Sequence, residues 1–171
     1  MEADAAVAVV HALGPEESVL LLRRSRRPGD PWSGHWAFPG GRREPGDSGL
    51  VDTALRELGE ECGVRLSRIQ LECPLPVRHA GQQQGRLVLV APFLFRVAGT
   101  FDVTPDGVEA ESALWLPLAQ FRDSARHRAD AVPGLADGRK MPGIPLDGTP
   151  LWGFTYRVLC EWLGVSEPLG I

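Results

Sequence analysis

The sequence predicts a single mixed α/β (α+β) domain, and three observations carry that prediction. Its 171 residues match the size of one compact domain. Hydrophobic residues make up 43% and charged residues 23%, the balance of a chain that folds around a core rather than a disordered or fibrous one. Short β-branched and apolar runs are interspersed along the chain with segments of helical period.

The elements follow in order. Residues 5–11 and 18–23 are apolar runs separated by Leu13-Gly14-Pro15-Glu16-Glu17, so the chain is expected to open with a β-hairpin. Trp36-Ala37-Phe38 reads as a short strand entering a Pro39-Gly40-Gly41 turn, whose glycines permit close approach of backbone to a ligand. From Leu50 onward, Val51, Ala54, Leu55, Leu58 and Cys62 recur at helical spacing and Gly63 follows as a stop, which predicts a helix over 50–62. Residues 87–97 read as a long buried strand, 113–116 as a short one and 117–122 as the start of a brief helix. Residues 122–148, rich in Arg, Asp, Gly and Pro, have no period and are expected to form a long loop over or beside the site. Phe154, Val158, Leu159 and Trp162 predict a closing helix over 152–163.

Composition excludes several function classes. The net charge of −4 argues against a dedicated nucleic-acid binder, which needs a basic stripe to displace phosphate counterions. The longest apolar stretches fall far short of the roughly 20 residues of a membrane span. The acidic opening Met1-Glu2-Ala3-Asp4 lacks the charge pattern of a secretory signal, and a cytoplasmic location is expected. Cys62, Cys73 and Cys160 show no CxxC spacing and are read as reduced, mostly buried thiols. Positive charge is local, in a patch of Arg23, Arg24, Arg26 and Arg27 followed by Arg42 and Arg43; of these, Arg24, Arg26, Arg42 and Arg43 are candidates to grip phosphates or to stay a solvated patch.

The chemistry-bearing segment is the helix over 50–62. Glu57, Glu60 and Glu61 lie three and four residues apart and project from one side, away from the apolar stripe. Like charges at that spacing repel by a few tenths of a kcal/mol. Arg56 offers partial compensation, and a divalent metal would offer more, since clustered carboxylate oxygens with waters and phosphates suit Mg²⁺. A plain solvated acidic face is the alternative on spacing alone.

The run Gly40-Gly41-Arg42-Arg43-Glu44-Pro45-Gly46-Asp47 followed by Thr53-Ala54-Leu55-Arg56-Glu57-Leu58-Gly59-Glu60-Glu61-Cys62-Gly63-Val64 resembles the Nudix box, GX5EX7REUXEEXGU with U a bulky aliphatic residue. Residues 56–64 match its second half in full, and the box spans about 41–64. Asp47 stands where the family has its first Glu, and eight residues rather than seven separate it from Arg56. That spacing is similar to the coenzyme A pyrophosphatase-like branch. Val90-Ala91-Pro92-Phe93, the segment from Val108 to Leu118 with its Trp115-Leu116-Pro117 turn, and Leu151-Trp152-Gly153-Phe154-Thr155-Tyr156 extend the resemblance over most of the chain.

The resemblance implies a Nudix-type α/β/α sandwich with a mixed β-sheet, one domain over 1–171, and hydrolysis of a nucleoside diphosphate linked to a second group X. It implies Mg²⁺ or Mn²⁺ held by Glu57, Glu60, Glu61 and the Gly41 carbonyl, with Arg56 orienting the glutamates. The proton acceptor is Glu57 or Glu109, with Glu111 in reserve. Arg24, Arg26, Arg42 and Trp36 are expected at the substrate, with Trp32 a second candidate to stack on a base. His35, His79 and Gln82 to Gln84 are read as loop or hairpin-tip positions that either contact substrate or are simply exposed. Coenzyme A is the first expectation for the substrate, then ADP-ribose, dinucleotide polyphosphates and other ADP-linked compounds. The partner is thus a small nucleotide diphosphate, with no nucleic acid or membrane, and relatives of this kind are often homodimers. The alternative is a catalytically silent Nudix-fold module that binds a nucleotide for regulation.

Overall fold

The computed structural model describes residues 3–30, 32–83, 86–135 and 138–167, so Gln84 lies outside the described residues. The expected hairpin is formed by β1 (Ala5–Ala12) and β2 (Ser18–Arg24), which pair antiparallel only at one end, His11 opposite Val19 and Ala12 opposite Ser18. β2 then peels away. The edge of β1 that it vacates is taken by β4 (Gly40–Arg42), with Ala6 opposite Gly41. The other edge of β1 pairs in parallel with β7 (Arg86–Val97) along its whole length, Ala5 opposite Val90 to Ala12 opposite Val97. Among the described residues this sheet has eight strands. β3 (Trp36–Ala37) and β8 (Ala110–Pro117) pair with β2, while β5 (Leu71–Pro74) and β6 (Arg78–Gln83) pair with β7.

Alternation along the central strands divides the core between two faces. Ala6, Ala8 and Val10 of β1 with Leu20 and Leu22 of β2 face α1 (Leu50–Cys62), where Ala54, Leu58 and Cys62 pack on them. Two alanines under the helix let it sit close to the sheet, and each fully buried leucine there contributes about 1.5–3 kcal/mol. Val9, Val19 and Leu21 point the other way, onto α2 (Leu118–Arg122) and α3 (Gly153–Leu163) through Leu118, Phe121, Tyr156 and Leu159. The result is a sheet between helical layers. α1 has the bounds that its apolar spacing predicts, and Gly63 ends it in the left-handed conformation at φ 69°, its N–H bonded to the Gly59 carbonyl. No helix among the described residues is long and apolar enough to cross a membrane.

Three expectations are corrected. Gly40 and Gly41 are not in a turn but in strand β4, because the vacated edge of β1 offers hydrogen bonds there and a Cβ at Gly40 would collide with the Ala6 carbonyl. His79, Ala80 and Gly81 lie inside β6 rather than at a hairpin tip. The expected loop over 122–148 contains β9 (Arg128–Ala131) and β10 (Lys140–Ile144), which with β11 (Leu151–Trp152) make a second, antiparallel sheet of three strands among the described residues. Its mostly half-exposed, polar strands, interrupted by Pro142 and Gly143, carry no alternation to read. His127 anchors this sheet to the core: Nε2 donates to the Phe121 carbonyl at 2.6 Å, which leaves Nδ1 to accept from the Tyr156 hydroxyl at 2.8 Å.

Candidate active site

β4 and α1 bring the box residues together. Arg56 is the hub: Nε and Nη2 reach the two oxygens of Asp47 at 3.0 and 3.1 Å, Nη1 reaches Glu57 Oε1 at 3.0 Å and Glu60 Oε2 at 2.9 Å, and Nη2 also donates to the Arg42 carbonyl at 3.0 Å. Asp47 is buried and also accepts from the Thr53 hydroxyl at 2.8 Å and the Glu44 N–H at 2.9 Å. The guanidinium and the Glu44 N–H hold its carboxyl below the usual carboxylate range, and the hydrogen bond to Asp47 in turn raises Arg56 above its ordinary value. Asp47 therefore aims Arg56, and Arg56 aims the glutamates. The signal for this in the sequence was the place of Asp47 in the box, but the spacing alone assigned it no contact.

The carboxylates differ in surroundings. Burial raises the pKa of Glu57, against the pull of Arg56. Burial pushes Glu61 up to about 8, and the charges of Glu57 and Glu109 add to that shift while the Gly40 N–H, 3.3 Å from Oε1, opposes it. Glu60 sits at the solvent edge with its side chain 59% exposed. A Cβ on Gly41 would overlap the Glu57 carboxylate, so only glycine leaves room for that carboxylate against β4. Among the described residues, no three His, Cys, Asp or Glu side chains stand close enough together to enclose a metal ion, because Arg56 draws off Glu57 and Glu60 while Glu61 turns to Gly40. The donor set nonetheless fits a hard cation: Glu57 and Glu61 stand one turn apart on one helix side, are largely desolvated and repel one another.

Glu109 approaches from the loop before β8. Its N–H donates to Asp106 Oδ1 at 2.9 Å and its carbonyl accepts from Ser25 N–H at 2.8 Å. Glu111 is tied to Arg23 at 3.3 Å.

A cavity of about 590 Å³ opens beside the box, with Gly40 and Gly41 in its wall. Trp32, Trp36, Trp152, Phe154 and Met141 give it apolar walls, and Arg24 supplies a cation that also faces Glu61. Trp36 is a fixed part of the wall: it is 3% exposed, Arg23 lies over its ring at 5.7 Å and its indole N–H donates to the Leu146 carbonyl at 3.0 Å. Trp32 keeps more surface free, its loop fixed by Asp30, which accepts from Trp32 N–H at 3.0 Å and from Arg24 at 3.1 Å. His35 is buried in the wall, and Nε2 donates to the Pro133 carbonyl at 2.9 Å. Arg26 and Arg42 are exposed and do not line the cavity. His79 contributes its carbonyl, which accepts from Arg157 at 2.9 Å. Trp152 and Met141 escaped sequence reasoning because the strands that carry them did.

The model of the NUDIX domain matches residues 3–137. The chain belongs to the Nudix family. It is 42% identical over 67 residues, 39% of its length, to the uncharacterized Nudix hydrolase NudL of Yersinia enterocolitica, of which that match covers 34%. It is 31% identical over 136 residues, 67% of its length, to the 8-oxo-dGDP phosphatase NUDT18 of Homo sapiens, covering 39% of that protein. The chain thus spans about a third of the length of the curated relatives it matches. A C. elegans Ap4A hydrolase in a binary complex aligns with a TM-score of 0.54 at 25% identity, over 68% of this Nudix chain and 81% of that one. The Nudix domain of Shewanella oneidensis NrtR, complexed with ADP ribose, aligns with a TM-score of 0.61 at 18% identity, over 95% and 89%, and supports the fold.

Proposed function

We propose that this Nudix chain is a divalent-metal-dependent pyrophosphohydrolase that cleaves a nucleoside diphosphate linked to a second group. The observation that carries the reading is a pair of desolvated, mutually repelling acids, Glu57 and Glu61, held against the Gly40–Gly41 strand beside an aromatic-walled cavity. Glu57, Glu60 and Glu61 are assigned to hold Mg²⁺ or Mn²⁺, with the Gly41 backbone beside them and Arg56 setting their orientation. Such an ion supplies neutralisation of diphosphate oxygens and acidification of the attacking water. Glu109, a further acid whose charge acts on both Glu57 and Glu61, is assigned the proton from that water. Arg24 is assigned to the diphosphate and the indoles of Trp32 and Trp152 to a planar base.

The relatives support a nucleotide substrate: one is named for 8-oxo-dGDP, one for Ap4A and one is complexed with ADP ribose. Coenzyme A is the member favoured by the resemblance of the box to the coenzyme A pyrophosphatase-like branch. The test is hydrolysis of coenzyme A, ADP-ribose, Ap4A, 8-oxo-dGDP and nucleoside triphosphates with Mg²⁺ or Mn²⁺, products separated to locate the broken bond. Cleavage of a diphosphate bond in at least one supports the reading. Binding of a nucleotide in Ca²⁺ with no turnover of any in Mg²⁺ or Mn²⁺ would favour the silent binding module instead.

A further inference from the structure

We infer that Asp106 is a positioning residue that fixes the Glu109 carboxylate beside the end of α1 that carries Glu61; the inference rests on the role proposed above for Glu109. One oxygen of Asp106, Oδ1, accepts three backbone N–H groups, from Val108 at 3.0 Å, Glu109 at 2.9 Å and Ala110 at 2.9 Å. The N–H of the same residue donates to the Glu61 carbonyl at 2.8 Å. That carbonyl is among the last of α1, where a helix has no internal partner to offer. A single residue thus bonds to the helix bearing one acid and to the loop bearing the other.

The loop is pinned from its far side as well. Ser25 N–H donates to the Glu109 carbonyl at 2.8 Å and Arg27 Nη2 to the Val108 carbonyl at 3.0 Å. Gly107 closes the turn at φ 73°, in the left-handed region that favours glycine, with its N–H on the Ala110 carbonyl at 2.9 Å. Both backbone polar groups of Glu109 are therefore committed, one of them to Asp106. An ionised acceptor makes such bonds roughly twice as strong as a neutral one, which gives Asp an advantage over Asn at this position. Residues 106–109 are exposed while Ala110 is buried in the core, so the turn hangs from a core residue and its bonds to Asp106 set where Glu109 stands. Displacing a reacting group by about 1 Å can cost a hundredfold in rate.

The test combines amide exchange with kinetics on Asp106→Ala, Asp106→Asn, Glu109→Gln and the double variant Asp106→Ala/Glu109→Gln. In the metal-free protein, Asp106→Ala is expected to speed exchange of the Val108, Glu109 and Ala110 amides at least tenfold. On the cleaved members of the nucleotide panel it is expected to lower kcat at least tenfold with KM within about twofold, and Asp106→Asn, which keeps a weaker neutral acceptor, to fall between Asp106→Ala and the wild type. In the Glu109→Gln background Asp106→Ala is expected to cost nothing further, whereas a merely structural role would multiply the two losses. Unchanged exchange, or unchanged kcat in Asp106→Ala while Glu109→Gln is impaired, overturns the inference alone. A wild-type protein that cleaves none of the panel, or a fully active Glu109→Gln, overturns it together with the functional reading beneath it.

Discussion

Replacing Glu61 by Gln tests the electrostatics of the site without a substrate. The amide keeps an oxygen for the Gly40 N–H, 3.3 Å away, and removes only the charge. Burial lifts the Glu61 carboxyl from near 4.5 to about 8, so the folded, metal-free protein holds a proton that the unfolded chain releases. Folding therefore carries no charge cost at this residue below pH 4.5, and stability falls as pH rises from there through 8. Each unit in that window corresponds to at most about 1.4 kcal/mol. With relaxation around the group, a penalty of roughly 2–4 kcal/mol at pH 8 is expected. Glu61→Gln removes it, which for a chain of this length raises Tm by about 5–10 °C in EDTA at pH 8 and by nothing near pH 4.5. Thermal unfolding across that pH range is the assay. A variant whose Tm at pH 8 in EDTA is equal to or below that of the wild type would refute the reasoning.

Further predictions concern the parts around that charge. Asp47→Ala strips Arg56, Thr53 and the Glu44 N–H of a buried acceptor and is expected to cost about 3–5 kcal/mol in urea unfolding. Because the Asp47 carboxyl is held below its ordinary value near 3.8, its contribution is present above that pH and is lost as pH falls through the depressed value, so the wild-type advantage should shrink in acid. Gly41→Ala puts a methyl group where the Glu57 carboxylate stands; turnover should fall about a hundredfold while unfolding free energy changes by no more than about 1 kcal/mol. Trp152→Ala opens the cavity wall and is expected to raise KM about tenfold with kcat within about threefold, read from steady-state kinetics on the cleaved substrate.

What could be read from the sequence follows from where periodicity is strong. The helix Leu50–Cys62 has one face against the core and records it as an apolar stripe, while the hairpin partners β1 and β2 are buried on both faces and record that as continuous apolar runs. Arg56, Glu57, Glu60 and Glu61 share a helix, so spacing puts them on one side, but spacing alone left a solvated acidic face open and it is the resemblance to the Nudix box that marks them as a site. Contacts between distant segments left no such trace. β4 is too short to show alternation, and it is a strand only because β2 vacates the edge of β1. Likewise β9 and β10 are half-exposed, and the segment between β10 and β11, the strands that bring Met141 and Trp152 to the cavity, is held by long-range bonds such as Trp36 to Leu146 and Arg23 to Thr149. The arginines illustrate the same limit: Arg24 and Arg26 are two residues apart, yet Arg24 alone of the two lines the cavity.

The claim that the glutamates of α1 hold the divalent ion on which turnover depends is tested most directly by calorimetric titration of Mn²⁺ into the wild type, Glu57→Gln and Glu61→Gln, with hydrolysis of the nucleotide panel followed at each Mn²⁺ concentration. Each variant is expected to lose at least tenfold in Mn²⁺ affinity, and wild-type turnover to rise in step with occupancy. Mn²⁺ binding of equal strength in all three proteins, or turnover indifferent to Mn²⁺, would contradict the account.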